Sequence, residues 1–499
     1  MKKSSGKNPL HGAMCACCEP NGGFRAEPTR RSLLAAGATL AAGAVVPMLS
    51  APAHAQPAGD PELKSLQSQR RILLKGGVVL TLDRKVGDFA NADVLIEDGK
   101  IREIRPNIAA DAAAVVDATN RIIIPGFVDT HSHSYQGLVR NILANGLLNP
   151  DYNRDIQNTL TPVYSVDDAY AGVLLSALGF IEMGTTAVVD ISQCSHTPEH
   201  SDAMIRAFQE AGIRAVYSYH RGAGDKHQYP QDIKRLQKTH FSSKDQLLTL
   251  ALTTSLSETM YTLAREVGVQ VVQHLVGKDL NKQVTALAKL MRPGDEYIHC
   301  IGINSDTWKL LKDSGAEVSL CAPIDMTMGH GTPTIQEALD HNFRPSLSSD
   351  HGVNLTQDMF SLMRATFQFQ RLRAHERRRA GDKSPPAFLN CRDLLEFATI
   401  AGARCAQIDS KCGTLTPGKD ADIVMLKADR LDIWPLSNAY GTVVNFMHPG
   451  HVEAVFIAGK VKKWRGNLVG IDQARIVRMA QESRDAVMKR ANYKIDLLG

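Results

Sequence analysis

Residues Arg121 to Arg140 read RIIIPGFVDTHSHSYQGLVR, an apolar β-branched run that ends in Asp129, His131 and His133. Neutral imidazole is a common ligand for zinc and similar divalent ions. Positions i and i+2 of a strand share one side. His131 and His133 are therefore expected to leave the C-terminal end of a buried strand together, as a pair able to share one cation. Alone, they read as two polar residues on a loop. Further downstream, Gln273-His274, His299-Cys300 and Ser349-Asp350-His351 each stand where an apolar run stops. His274 or His299 alone reads as a satisfied histidine at a rim, and Asp350 alone as the cap of the next helix. Four such strand ends together point instead to one centre. Three imidazoles and a carboxylate suit a hard-to-borderline divalent ion with an open position for water. An ion held that way lowers the pKa of water to roughly 7 and polarises a carbonyl or amidine.

Such a centre needs elements that bring distant residues to one mouth. Strands are expected at Ile122–Thr130, Thr186–Ile191, Ala215–His220, Leu247–Thr253, Val269–Leu275, Glu296–Cys300, Glu317–Ala322 and Pro345–Ser349, with helices such as Asp167–Met183, Ser201–Ala211 and Glu258–Val267 between them. Eight βα units imply a (β/α)8 TIM barrel, whose reactive groups lie at the C-terminal strand ends. Short alternating apolar runs with Gly-Gly and Asp-Gly signals flank this middle, from Arg71 onward and again over 413–426 and 451–466. The two ends are expected to form one small β-sandwich domain. The expected division is a leader over 1–55, β-domain halves over 56–120 and 411–470, the barrel over 121–410 and a helical tail over 471–499.

PGFVDTHSH, the histidine of strand five, the His-Cys of strand six and the Ser-Ser-Asp of strand eight, set between split β-domain halves, resemble the amidohydrolase superfamily. The nearest branch is similar to the cytosine deaminase, chlorohydrolase and triazine hydrolase group, with Met328 to Asp350 (MGHGTPTIQEALDHNFRPSLSSD) resembling its less characterised members. The resemblance implies His131, His133, His274 and Asp350 as ligands of one divalent ion, zinc first, with iron or manganese as alternatives. It implies that Asp350 takes a proton from the attacking water and that His299 polarises the substrate or orients the water. Strand four ends without the lysine of binuclear members, which favours a single ion. The sequence departs at strand five, where deaminases of this branch carry His-x-x-Glu. Here the fourth residue is Gly277, which carries no proton. Asp325 and His330 are the available acids, against the plainer readings of a turn carboxylate and a loop-ordering histidine. Tyr135, Gln136, His220, Arg221 and His330 are candidate substrate contacts, with core packing the alternative for Tyr135 and a rim salt bridge for Arg221. His448 and His451 fall in the β-domain and read as structural. The expected function is hydrolysis of a C–N bond in a small cyclic, nitrogen-bearing molecule, by deamination or cyclic amide cleavage. The alternatives are hydrolytic dehalogenation and a non-catalytic barrel used for binding or assembly.

The 499 residues are 43% hydrophobic and 22% charged, with a formal net charge of +5. That is ordinary globular composition and gives no reason to expect nucleic-acid binding. The basic run Arg371 to Arg379 reads as a solvated helix face, with a homo-oligomer interface as its other use. Cys15, Cys17 and Cys18 lie in the leader. The other six cysteines show no Cys-x-x-Cys spacing and read as small core residues. Neither the H-x-E with P-C-x-x-C signature of zinc cytidine deaminases nor H-E-x-x-H is present. Thr29-Arg30-Arg31-Ser32-Leu33-Leu34 resembles a twin-arginine motif, followed by a mildly apolar stretch and Ala53-His54-Ala55. These features lead one to expect export by the twin-arginine machinery to the periplasm or beyond, without stable membrane insertion.

Overall fold

The apolar run that leads to His131 is divided between two sheets. Arg121–Pro125 pairs antiparallel with Ile423–Lys427, whereas Phe127–Ser132 begins a separate parallel sheet. This corrects the expected single strand Ile122–Thr130. Gly126 makes the crossing: a Cβ there would lie 2.1 Å from Thr186 Oγ1, so the chain passes where only glycine fits. The structure, a computed structural model, describes residues 60–498 apart from 110, 244 and 278. The leader, with its arginine pair and its three cysteines, lies outside the described residues.

The parallel sheet is the barrel. Its strands are Phe127–Ser132, Thr185–Ser192, Arg214–Tyr219, Leu248–Thr253, Gln270–Val276, Glu296–Ile301, Glu317–Leu320 and Ser346–Leu347, each paired with the next in sequence. They are called strands one to eight below. Strand eight is only two residues long, so polar groups complete the closure onto strand one. Asp350 N–H donates to the His131 carbonyl and His133 N–H to the Asp350 carbonyl, both at 2.8 Å. Asp129, fully buried, accepts from the backbone N–H groups of Ser349 and His131 and from the Ser349 hydroxyl. Inside the barrel, Thr130 Oγ1 meets Ser319 Oγ at 2.7 Å and Ser346 Oγ at 2.8 Å, tying strands one, seven and eight.

Helices of the kind expected from sequence return the chain between strands. Val166–Glu182 starts in a capping box of Ser165 and Asp168, which satisfies two otherwise unpaired backbone N–H groups. Between strand one and this helix the chain inserts three helical segments, Ser134–Val139, Leu148–Leu160 and Thr161–Val163. The sequence reading did not anticipate them. The basic run belongs to a longer helix, Met359–Arg379. There Arg371 and Arg378 lie over Phe388, and Arg377 pairs with Asp382 and Asp340. A last helix spans Gln473–Ala491.

The two ends of the described chain meet in one nine-stranded sheet. Arg71–Val79, Phe89–Glu97, Lys100–Arg105, Ala114–Asp117 and Arg121–Pro125 join Ile423–Lys427, Val452–Ile457, Lys460–Trp464 and Asn467–Leu468. Arg214, 2% exposed at the start of strand three, reaches the residues that lead into Ile423–Lys427, where its Nε donates to Asp422 and its Nη2 to Asp420 and Asp422, each at 3.0–3.1 Å. Among the described residues all six cysteines are free thiols, five of them buried. No helix of the described residues is long and apolar enough to cross a membrane.

Candidate active site

Strand ends one, five and eight bring their histidines and carboxylate to one point. The ring centroids of His131 and His133 are 4.8 Å apart, and those of His131 and His274 4.7 Å. Asp350 Oδ1 lies 3.1 Å from His131 Nε2 and 3.4 Å from His133 Nε2. His131, His133 and His274 offer ring nitrogens within 4.8 Å of one another, and so do His131, His299, Cys321 and Asp350 with their own ligand atoms. Asp350 and His299 sit at φ +60° and +64°, left-handed conformations that are strained for residues with a side chain. Asp350 lies past the end of strand eight, whereas His299 lies inside strand six, next to Cys300 at φ +55°.

The electrostatics fit a cation. Burial pushes His131 down to about 3 against the pull of Asp350, and burial pushes His274 well below its ordinary value. Both rings are therefore neutral and keep a lone pair for an ion. His133 Nδ1 lies 3.4 Å from the Ile191 carbonyl, which holds the proton on that nitrogen and frees Nε2. Burial works against charge on Asp350, but the imidazoles of His351 and His131 outweigh it and hold the carboxyl well below its usual range. His131 Nδ1 is buried without a hydrogen-bond partner. Neutral imidazoles around an ionised carboxylate, with an orphaned ring nitrogen among them, are the donor set of a divalent metal site. Cys321 is not part of that set. Burial raises its thiol well above the usual value, and its Sγ lies 2.9 Å from Ser348 Oγ.

Behind this cluster stands a second one. His299 Nδ1 lies 2.8 Å from Asp325 Oδ1, and its Nε2 lies 3.9 Å from Asp350 Oδ2. Burial alone would lower the His299 pKa, but Asp325 reverses it and raises the value above 6.5. His330 Nδ1 meets the same Asp325 oxygen at 3.1 Å. His299 and His330 thus share one carboxylate oxygen, with ring centroids 4.9 Å apart.

The remaining sequence candidates divide. Gln136 is buried, and its amide donates to the hydroxyls of Tyr135 and Tyr152. It acts through Tyr152, whose ring stacks on His351 at 4.8 Å. Tyr135 belongs to the core and not to the ligand pocket: it is 1% exposed, its ring packs on Tyr164, and its hydroxyl meets Thr161 Oγ1. The chain turns into a helical segment at Ser134, so the alternation that placed Tyr135 beside His133 no longer holds. His220 sits at the end of strand three within electrostatic reach of His133, its Nδ1 held by the Arg221 carbonyl. Arg221 is exposed, and its Nε donates to His227. His448 and His451 form a cluster with Asp432 in the region of the second sheet. Each Nδ1 lies 3.1 Å from a backbone N–H, and the Nε2 atoms of His448 and His451 lie 3.7 and 3.3 Å from Asp432 Oδ2, with His451 Nε2 buried and without a hydrogen-bond partner.

Three residues near the centre were missed. Asp190 of strand two accepts the Ser134 N–H at 2.9 Å, and burial raises its pKa to about 6. A lone carboxylate inside the apolar run AVVDIS was the available signal. His351 is buried with its Nδ1 unpartnered, and was readable from its place after Asp350. Tyr152 had no local signal, because the insertion that carries it was not foreseen.

A family model described as the amidohydrolase family matches residues 122–462. A 5-methylthioadenosine/S-adenosylhomocysteine deaminase of Pyrococcus horikoshii is 26% identical over 434 residues, covering 81% of this chain and 98% of that protein. The solved structure of an adenosine deaminase from Xanthomonas campestris with bound zinc superposes with a TM-score of 0.72 at 19% identity, covering 84% of this chain and 98% of that one. A mutant of atrazine chlorohydrolase from Arthrobacter aurescens, complexed with zinc and atraton, gives 0.71 at 20% identity, covering 83% and 100%.

Proposed function

Because this chain belongs to the amidohydrolase family, we propose that it is a mononuclear metal-dependent hydrolase that replaces an exocyclic amine on a nitrogen heteroaromatic ring by oxygen. The first substrate class to test is the 6-aminopurine nucleosides, on which deaminase relatives such as that of Pyrococcus horikoshii act by name. The observation that carries the reading is the meeting of three imidazoles and one ionised carboxylate at the ends of strands one, five and eight. His131, His133, His274 and Asp350 would hold the ion. The donor set and the zinc in the related structures support zinc. When bound, the ion supplies Lewis acidity, which acidifies water and polarises the bond under attack.

The chain's own groups do the rest. The second oxygen of Asp350 accepts a proton from the attacking water. His299, its Nδ1–H fixed on Asp325, turns Nε2 toward the charge that develops on the substrate. Gln136, Tyr152 and His351 form a buried wall beside the centre that excludes bulk water. The test is a screen of aminated purines, pyrimidines and triazines together with cyclic amides, read by ammonia release. About one ion per chain and loss of turnover on chelation are expected. Ring opening without ammonia would reject deamination, and a purified chain that holds no metal would reject the centre. The arginine pair Arg30-Arg31 and the Ala53-His54-Ala55 site support export by the twin-arginine route. Replacing both arginines by lysine is expected to retain the protein in the cytoplasm.

A further inference from the structure

We propose that His330, braced by Asp325, is the acid that protonates the departing amine, in the place where this chain has no strand-five glutamate. The inference rests on the deaminase reading above. An amine leaves a tetrahedral carbon only after it gains a proton, so some group near the centre must carry one.

The strand-five position is closed to an acid by backbone as well as by residue type. Gly277 sits at φ +141°, a conformation that residues with side chains rarely adopt. Its carbonyl oxygen would lie 2.0 Å from a Cβ at Gly302, so the ends of strands five and six approach backbone to backbone. No side chain projects from here.

The end of strand seven supplies what is missing. The short helix Ala322–Met328 stops at Gly329, and the chain folds back so that the His330 N–H donates to the Asp325 carbonyl at 3.1 Å. The same residue's carboxylate takes His330 Nδ1–H at 3.1 Å. Two contacts from one residue thus fix both backbone and ring. Gly331 packs against Ile301, and the Thr334 hydroxyl donates to the His299 carbonyl at 2.7 Å, so the loop is anchored onto strand six. With Nδ1–H committed to Asp325, the working nitrogen of His330 is Nε2. It is buried and has no hydrogen-bond partner. An imidazole oriented by a carboxylate, with its other nitrogen unpartnered and its ring 4.9 Å from that of His299, has the arrangement of a general acid–base. Asp325 holds both His299 and His330 on one oxygen, which ties the two rings to a single carboxylate.

Water oxygen bonds to the ring carbon, and the C=N pair moves to the ring nitrogen. One water proton passes by way of Asp350 to that nitrogen. In collapse, the hydroxyl proton of the adduct goes to Asp350 and the carbonyl forms. The exocyclic C–N bond breaks with its electron pair on nitrogen. That nitrogen takes the Nε2 proton of the His330 imidazolium and leaves as ammonia. The proton on Asp350 then restores the His299–Asp325–His330 unit.

The discriminating experiment compares two leaving groups on one ring, adenosine and 6-chloropurine riboside. Chloride departs without a proton. His330→Gln is expected to lower kcat for ammonia release by about 10²- to 10⁴-fold, with KM for adenosine within a few-fold of wild type. Chloride release is expected to fall less than about tenfold, the smaller share of the same general-acid effect. His330→Ala should regain ammonia release when imidazole is added, and each variant should keep wild-type metal content and melting midpoint. Equal losses on both substrates, or deamination by His330→Gln at the wild-type rate, overturn the proposal while the deaminase reading stands. Wild-type protein that releases no ammonia from any aminated ring overturns the reading itself, and the proposal with it.

Discussion

At the scale of single residues, the centre depends on charge placed where burial opposes it. Asp350 is 3% exposed, yet its neighbours hold it ionised. Asp350→Asn keeps the shape and removes the charge. It is expected to abolish ammonia release, by at least about 10³-fold given the loss of both a ligand and a base. Metal content should fall with it, which elemental analysis reads independently of activity. His131, His133 and His274 were legible in sequence because each stands at the end of an apolar run, after Phe127-Val128 and Val271-Val272, and Asp350 because Ser-Ser-Asp closes the last strand. What sequence could not show was conformation. Nothing in the residue types announces that His299 and Asp350 take left-handed backbone, or that His299 and His330 divide one oxygen of Asp325.

At the scale of elements, two features escaped the sequence reading for the same physical reason. Strand periodicity runs through Gly126 without a break, so the division of Arg121–Ser132 between two sheets is invisible until Thr186 is seen to press on that glycine. The segment Ser134–Leu160 is likewise irregular, with neither a strand nor a helix period long enough to register. Its place over the mouth comes from tertiary bonds: Gln136 and Gln157 both donate to the Tyr152 hydroxyl, at 2.8 and 3.1 Å. Tyr152→Ala removes the ring that stacks on His351 and leaves both amides without that acceptor. KM for the best substrate should rise about tenfold, consistent with 1–2 kcal/mol for a lost aromatic contact, while the metal stays bound. An unchanged KM would detach the insertion from the site. The barrel's link to the second sheet rests on Arg214 and Asp422, both nearly fully buried. Asp422→Ala leaves the buried guanidinium to Asp420 alone and is expected to cost at most about 3–5 kcal/mol, read as a lower denaturant midpoint.

At the scale of the whole molecule, buried imidazoles make stability depend on pH, and His196 isolates the effect away from the metal ligands. Its Nε2–H donates to the Thr161 carbonyl at 2.8 Å, and its Nδ1 accepts the Ala223 N–H at 2.9 Å. It therefore ties the end of the insertion to the loop after strand three while uncharged. A second proton would place Nδ1–H against the Ala223 N–H, and burial accordingly pushes His196 down to about 4 from an ordinary 6.5. Between those two values the unfolded chain binds a proton that the folded chain refuses. Stability is thus complete above pH 6.5 and declines as the pH falls toward 4. Glutamine at this position offers the same donor and acceptor without titrating. Urea unfolding of metal-free protein at pH 7.5 and pH 5 should show His196→Gln losing less stability than wild type, by at most about 2 kcal/mol for a proton withheld over one and a half pH units. Identical losses in the two proteins would mean that His196 is protonated in the fold, and that the Ala223 contact is not the one drawn here.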